Sequence, residues 1–313
     1  MEYLAVALLN GAIYGLLLFM VSAGLTLVFG MMGVLNFAHA SFYMMGAYIA
    51  YALAGVIGFP LAVIIAPIIV GGVGVIVERY FLRRVHRYGH AHELLLTFGL
   101  SFIIAEVIKL IFGNFPVDYR LPASLDFAAF RIGGTDYPVY RLLMGGVALG
   151  MFGLIYALLS TTRVGIVVRS AIYRPRMAEA LGHNVPVLFM SVFGVGAMLA
   201  GLAGALAGAF YTTNPNMALE LGVMVFVVVV IGGLGSLEGA MVASILIGVV
   251  TSLAVGVDAS LADLLGFIGL GDWARAVGGV LTLQVSSLAA TLPFALMLIV
   301  LLVRPSGLFG EKG

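Results

Sequence analysis

Cysteine is absent from the 313 residues, so disulfide frameworks and thiol chemistry are excluded. Lysine is nearly absent: Lys109 and Lys312 are the only two. No G-x-x-x-x-G-K-[ST] run occurs, and the chain therefore has no P-loop of its own for ATP. There is also no H-E-x-x-H pair and no G-x-S-x-G nucleophile elbow. Neither a catalytic residue nor a cofactor is expected. Charged residues make up 9% of the chain, against about 25% in a soluble domain. The formal net charge of +1 offers no basic surplus for nucleic acid.

What fills the chain instead is apolar: 63% of it is hydrophobic, with 42 glycines in no collagen-like period. A soluble fold cannot hide that much apolar surface, so the solvent is lipid. Glycine is frequent in membrane helices because it lets backbones approach closely. The N-terminal run carries Glu2 and lacks a basic lead-in, so it is read as a retained first helix rather than a signal peptide. A crossing needs about 20 apolar residues. That ruler places segments near 4–29, 37–55, 60–82, 93–113, 140–160, 186–211, 220–256 and 286–303. The 220–256 run is too long for one crossing and holds "GGLGSLEGAM" in its middle, so it reads as two crossings about a tight turn. No β-barrel alternation is present. The expected fold is all-α, a single polytopic transmembrane helical bundle over 1–313 with about eight or nine segments, some broken or re-entrant.

Basic residues orient it. Arg79, Arg83, Arg84 and Arg87 form one group, Arg163, Arg169, Arg174 and Arg176 a second, and Arg304 and Lys312 flank the C-terminus, 10 of 15 in all. Loops 114–139 and 257–285 carry Asp118, Asp126, Asp136, Asp258, Asp263 and Asp272 with only Arg120, Arg131 and Arg275. The positive-inside rule puts the C-terminus in the cytoplasm, and nine crossings would put the N-terminus outside.

Several polar features stand out. Glu106 and Lys109, at i and i+3, can neutralise one another or serve as an ion relay. His86, His90 and His92 share a short loop with three arginines, which favours a solvated basic loop over a metal site. In 194–210 the rows Ala197, Gly201, Ala205 and Ala200, Gly204, Gly208 form small-xxx-small faces for close packing, at the heart of the bundle or beside a second subunit. Two regions break the apolar pattern: "GVLNFAHASFYMMGAY" (Gly33 to Tyr48), read as a break in the second helix, and Val227 to Gly248. Broken helices in corresponding positions of two halves mark transport paths. The 161–185 stretch is basic, contains helix-forming "RMAEAL" and ends at Gly182, a natural C-cap before Pro186. It suits an amphipathic cytoplasmic helix lying on lipid or docking a soluble partner.

"GLTLVFGMMGVLNFAHASFYMMGAY" resembles the N-terminal signature of branched-chain amino-acid ABC transporter permeases of the LivH type. Three further blocks match in order: 161–184, 214–241 and the terminal "RPSGLFG" at 304–310. Ala40 stands where the family has glycine, "IYRPRM" replaces an acidic stretch, and His183 replaces an isoleucine. The resemblance implies half of a bacterial inner-membrane importer, multi-pass in lipid. It would be completed by a LivM-type permease, two cytoplasmic ABC ATPase subunits and a periplasmic or lipid-anchored solute-binding protein. It also implies roles. Asn36, Phe37, His39 and Ser41, with Gly232, Gly233, Gly235 and Gly239, become candidates for the pathway or gate. Arg163, Gly165, Arg169, Met177, Ala178, Leu181, Gly182 and Asn184 become candidates for ATPase coupling. The competing readings are a secondary transporter or channel for small neutral solutes, and a membrane enzyme.

Overall fold

A computed structural model describes residues 2–132, 135–173, 175–257 and 259–310. Arg174, Asp258 and Lys312 of the charge pattern lie outside the described residues, as do the side chains of Arg169 and Arg176.

Backbone polar groups have no water to bond to in lipid, so each apolar run closes its own hydrogen bonds as a helix. The elements in order are α1 (Glu2–Met32), α2 (His39–Ile57), α3 (Phe59–Val77), a π turn (Glu78–Leu82), α4 (Arg83–His86) and α5 (His90–Phe112). A hairpin, β1 (Ala128–Ile132) and β2 (Thr135–Pro138), leads into α6 (Val139–Thr161), α7 (Arg163–Tyr173) and α8 (Pro175–Ala180). Then come α9 (Val185–Ala207), α10 (Met217–Gly232), α11 (Leu237–Val255), α12 (Leu261–Gly266), α13 (Gly271–Val277), α14 (Val285–Leu288) and α15 (Leu292–Val303). Among the described residues seven helical stretches are long and apolar enough to cross a membrane, and α10 and α15 are shorter apolar helices. The long 220–256 run does divide, between Gly232 and Leu237. The hairpin is an addition to the expected all-α plan. Its antiparallel strands stack Phe130 on Tyr137 at 5.2 Å and join Arg131 to Asp136.

The two ends of the bundle are chemically distinct. At the basic end Arg83 Nη2 donates to Pro186 O (2.8 Å), and the Leu308 and Phe309 amides donate to Ile231 O and Gly232 O. At the acidic end Ser252 Oγ donates to Ala7 O (2.7 Å), Tyr140 Oη to Leu206 O (2.7 Å) and the Val117 amide to Thr213 O (3.0 Å). Asp263 lies there too. Hydrogen bonds from the Ser260 hydroxyl and amide, then from Arg275, pull its carboxyl down to about 2. The Ala7 and Phe309 levels are thus at opposite ends, as an odd number of crossings requires.

The centre belongs to α9, which packs on α1, α2 and α3 at once. Its small residues explain how. A Cβ on Gly196 would meet Gly24 O at 2.9 Å, on Gly201 the Val70 side chain at 2.9 Å, and on Gly204 Tyr43 O at 1.8 Å. The two small-residue rows therefore serve two partner helices from one central rod.

Candidate functional site

The polar stretch 33–41 is a break between the first and second helices, not within the second as its apolar flanks suggest. α1 stops at Met32 because Gly33 turns left-handed (φ +66°), with its amide on Phe29 O. Asn36, 4% exposed, then caps the entry to α2: its Oδ1 accepts from the Ala38 amide (3.0 Å), and its carbonyl from the His39 amide (3.1 Å). The Phe37 amide donates to Thr97 Oγ1 of α5 (3.2 Å). Buried backbone outside a helix must find partners, and here Asn36 and Thr97 supply them.

His39 and Ser41, each 2% exposed, tie the first turn of α2 to its neighbours. His39 Nε2 lies 2.8 Å from Val21 O. A carbonyl only accepts, so Nε2 carries a proton, and Nδ1 has no partner among the described residues. Gly24 makes room: a Cβ there would meet Gly196 O at 2.4 Å and the His39 ring at 2.8 Å. Ser41 Oγ donates to Ser101 O (3.4 Å). Gly196 is the middle residue of α9, so this junction of α1, α2 and α9 sits halfway along a membrane span.

Beside it opens a cavity of 370 Å³ between α2, α5 and α10. Asn36, Phe37, His39 and Ser41 all line it, so four predicted residues converge there. Its far wall was not foreseen: Phe98, Ser101, Phe102, Ala105, Glu106 and Lys109 from α5, and Asn216, Gly222, Val223 and Phe226 from the α10 side. Phe37, 49% exposed, is the deep end, edge-on to Phe98 (6.3 Å) and nearly parallel to Phe226 (6.4 Å). Glu106 and Lys109 pair at 2.7 Å nearer the acidic end, as the neutralised-pair reading has it. The space is a largely apolar slot with an aromatic floor, a few hydroxyl, amide and imidazole groups, and the Glu106–Lys109 pair toward the acidic end; slots of this kind suit small, largely apolar ligands.

The glycine set does not join it. Gly232, Gly233, Gly235 and Gly239 do not line this cavity; they close the α10–α11 turn at the basic end. A Cβ on Gly239 would meet Gly232 O at 2.0 Å, on Gly233 Gly310 N at 2.4 Å, and on Gly235 Gly30 Cα at 2.8 Å. Backbone meets backbone there, so these residues are packing glycines. The two breaks also differ in build: α10 and α11 pack together as a hairpin, whereas α1 and α2 scarcely touch.

The 161–185 stretch is two short helices rather than one. Thr162 Oγ1 accepts from the Gly165 amide (3.2 Å) at the start of α7. α8 ends at a Schellman turn: the Gly182 amide reaches Glu179 O (2.9 Å), the His183 amide Ala178 O (3.1 Å), and Gly182 has φ +89°. Asn184 Oδ1 caps α9 through the Val187 amide (3.1 Å). Ala178 is buried against Ala171 and Val185, and Gly165 against Leu159. Arg163, Met177, Leu181, Gly182 and Asn184 are exposed. The Arg169 side chain lies outside the described residues.

The histidines of this loop pair with a carboxylate or an aromatic ring. His86 and His90 both reach buried Glu93, and His92 lies 5.7 Å from the Tyr88 ring. Glu78 is buried in the π turn and paired with Arg83 at 3.0 Å.

The helices define a multi-pass helical membrane protein with a mid-depth cavity on the α2–α5–α10 flank. The family model described as branched-chain amino acid transport system / permease component matches residues 7–301, and the chain belongs to that family. It is similar to the high-affinity branched-chain amino acid transport system permease protein BraD of Pseudomonas aeruginosa, 29% identical over 97% of this chain and 95% of that one. It is likewise similar to LivH of Salmonella typhimurium (26%, covering 99% and 96%) and to a probable LivH of Methanocaldococcus jannaschii (27%, covering 79% and 80%).

Proposed function

We propose that this chain forms one half of the translocation pathway of an ATP-driven importer for branched-chain or other hydrophobic amino acids and related small solutes. The observation that carries the reading is the mid-depth cavity, walled by Phe37, Phe98, Phe102 and Phe226 and touched by Asn36, His39 and Ser41. Its open side lies along the exposed apolar faces of α5 and α10, where Phe102, Leu219 and Val223 would meet a second permease. With no P-loop in the chain, two separate ABC ATPases supply the hydrolysis. The basic end faces the cytoplasm and the acidic end the outside of a bacterial inner membrane, where a solute-binding protein delivers cargo.

In this mechanism ATP binding closes the ATPase dimer and pushes on α7 and α8. Arg163, Arg169, Met177, Leu181 and Gly182 form the contact, while Gly165, Ala178 and Asn184 hold its shape. The push passes through the buried patch of Ala171, Ala178 and Val185 into α9, and from there to α1 and α2 around His39. Inward- and outward-facing packings of the bundle exchange as two states. Liposomes test this. Labelled leucine should enter only when second permease, ATPases, binding protein and ATP are all present. Uptake by this chain alone would instead establish a secondary transporter or channel. Arg169→Ala and Gly182→Ala should hydrolyse ATP without uptake; normal transport by both would remove the coupling assignment.

A further inference from the structure

A second cavity lies at the acidic end, on the other flank of α1, and contains a cation with no counter-charge among the described residues. Its volume is 550 Å³. Arg141, in the first turn of α6, projects into it over the Phe210 and Tyr137 rings (5.1 and 5.7 Å). Its Nη1 donates to Asn10 Oδ1. The other arginines of this end are neutralised: Arg120 by Asp118, Arg131 by Asp136 and Arg275 by Asp263. Among the described residues no carboxylate lies within 4 Å of Arg141. A tie to Asn10 uses one of five guanidinium N–H groups. The rest of the polar lining is neutral: Tyr14, Tyr211, Ser252 and Thr251, whose hydroxyl is shut from solvent with no partner among the described residues. Ile13 and Val255 add an aliphatic wall.

One fixed positive fork, spare hydroxyl donors and an apolar side wall together suit the carboxylate of a small solute that carries a short aliphatic chain. A carboxylate matches the fork bidentately. We propose that this cavity is an outer binding site for the carboxylate of the transported solute, with Arg141 as its anchor and Thr251 and Tyr211 as supporting donors. The proposal rests on the importer reading, in which this end faces the incoming solute.

The test titrates the purified full chain with L-leucine and with leucinamide, whose carboxylate is replaced by a neutral amide, and follows thermal unfolding. Leucine should give a saturable upward shift and leucinamide none. Arg141→Gln should weaken the leucine response about tenfold or more, the size expected for a hydrogen bond to a charged group, and Arg141→Lys should retain part of it. Should Arg141→Gln fail to fold, Thr251→Val and Tyr211→Phe should each weaken leucine binding several-fold. Equal responses to leucine and leucinamide, or unchanged binding by these variants, would overturn the site. So would a shift produced only by phosphatidylglycerol, which would assign the arginine to a lipid phosphate. Uptake by the assembled importer separates the two readings. Arg141→Gln uptake with an unchanged KM removes the site and leaves the permease reading standing. Arg141-dependent leucine binding without any wild-type uptake supports the site and removes the importer.

Discussion

Gly204→Ala adds a single methyl group where α9 crosses α2. The Cβ would stand 1.8 Å from Tyr43 O, 2.8 Å from Tyr43 C and 3.0 Å from Ala47 N. All three obstacles are backbone, so no rotamer change relieves them. Tyr43 O must retreat to about 3.4 Å, an ordinary contact distance. That opens the interface for several residues on either side, where a gap of about 1 Å already forfeits up to half of each dispersion contact. Overpacking usually costs about 1–3 kcal/mol, and two rigid backbones put this case at about 3 kcal/mol, two powers of ten in the folded fraction. Gly72→Ala in α3 is the matched control: nothing lies within 4 Å of its Cβ, so the helix gains up to about 1 kcal/mol of propensity. Both variants would be unfolded in mixed micelles by titration with a denaturing detergent, and the midpoints compared with wild type. If Gly204→Ala stays within about 1 kcal/mol of wild type, the close-packed α2–α9 crossing is wrong.

Three other perturbations probe separate parts of the molecule. Ala105→Trp projects an indole into the 370 Å³ cavity from α5; uptake should fall more than tenfold with the melting midpoint nearly unchanged, and normal uptake would move the path elsewhere. Arg83→Ala leaves Glu78 buried without its partner and should cost about 2 kcal/mol, since Arg83 is itself partly exposed; the double variant Arg83→Ala with Glu78→Gln should recover most of it, and a double variant no better than the single one would deny the pairing. Gly182→Ala meets no atom within 4 Å yet forces alanine to φ +89°; a loss of about 1 kcal/mol is expected, read as faster amide exchange confined to 175–184.

Much of the architecture is legible because membrane length is a strict ruler: the apolar runs map onto the helices, and the glycine-rich interruption of 220–256 is the turn it resembles. Gly182 is readable for a different reason, since an isolated glycine between "RMAEAL" and Pro186 has few uses other than a left-handed cap. Apolar periodicity fails at the cavity wall. In lipid both faces of α5 are apolar, so Phe98 and Phe102 look like Leu95 and Ile103, which point elsewhere. Asn36 misleads for a related reason: its flanks are equally apolar whether a helix bends or ends, and the left-handed Gly33, with the Phe37 amide held by Thr97 far along the chain, distinguishes the two. The hairpin does leave a signal, alternating residues around "IGGT", but the charges of that segment are its louder feature. Nor does Arg141 draw notice; a lone arginine at the end of an apolar run looks like an interfacial anchor until the cavity it projects into is seen in space.

The mid-depth start of α2 leaves the space toward the basic end to be closed by other parts of the chain. From Phe59 the chain runs 28 residues to His86 at the basic end, whereas α2 has only 19 in which to climb from His39 to the same acidic-end turn. The nine-residue shortfall, at 1.5 Å of rise each, leaves a plug roughly 14 Å deep beneath the aromatic floor. It consists of loop 33–38, held by Thr97 and the α1–α9 crossing. In the proposed importer, a solute resting on Phe37 would have about half the hydrocarbon thickness behind it. The exchange of bundle packings would therefore have to displace this short tethered segment to open the way below Phe37.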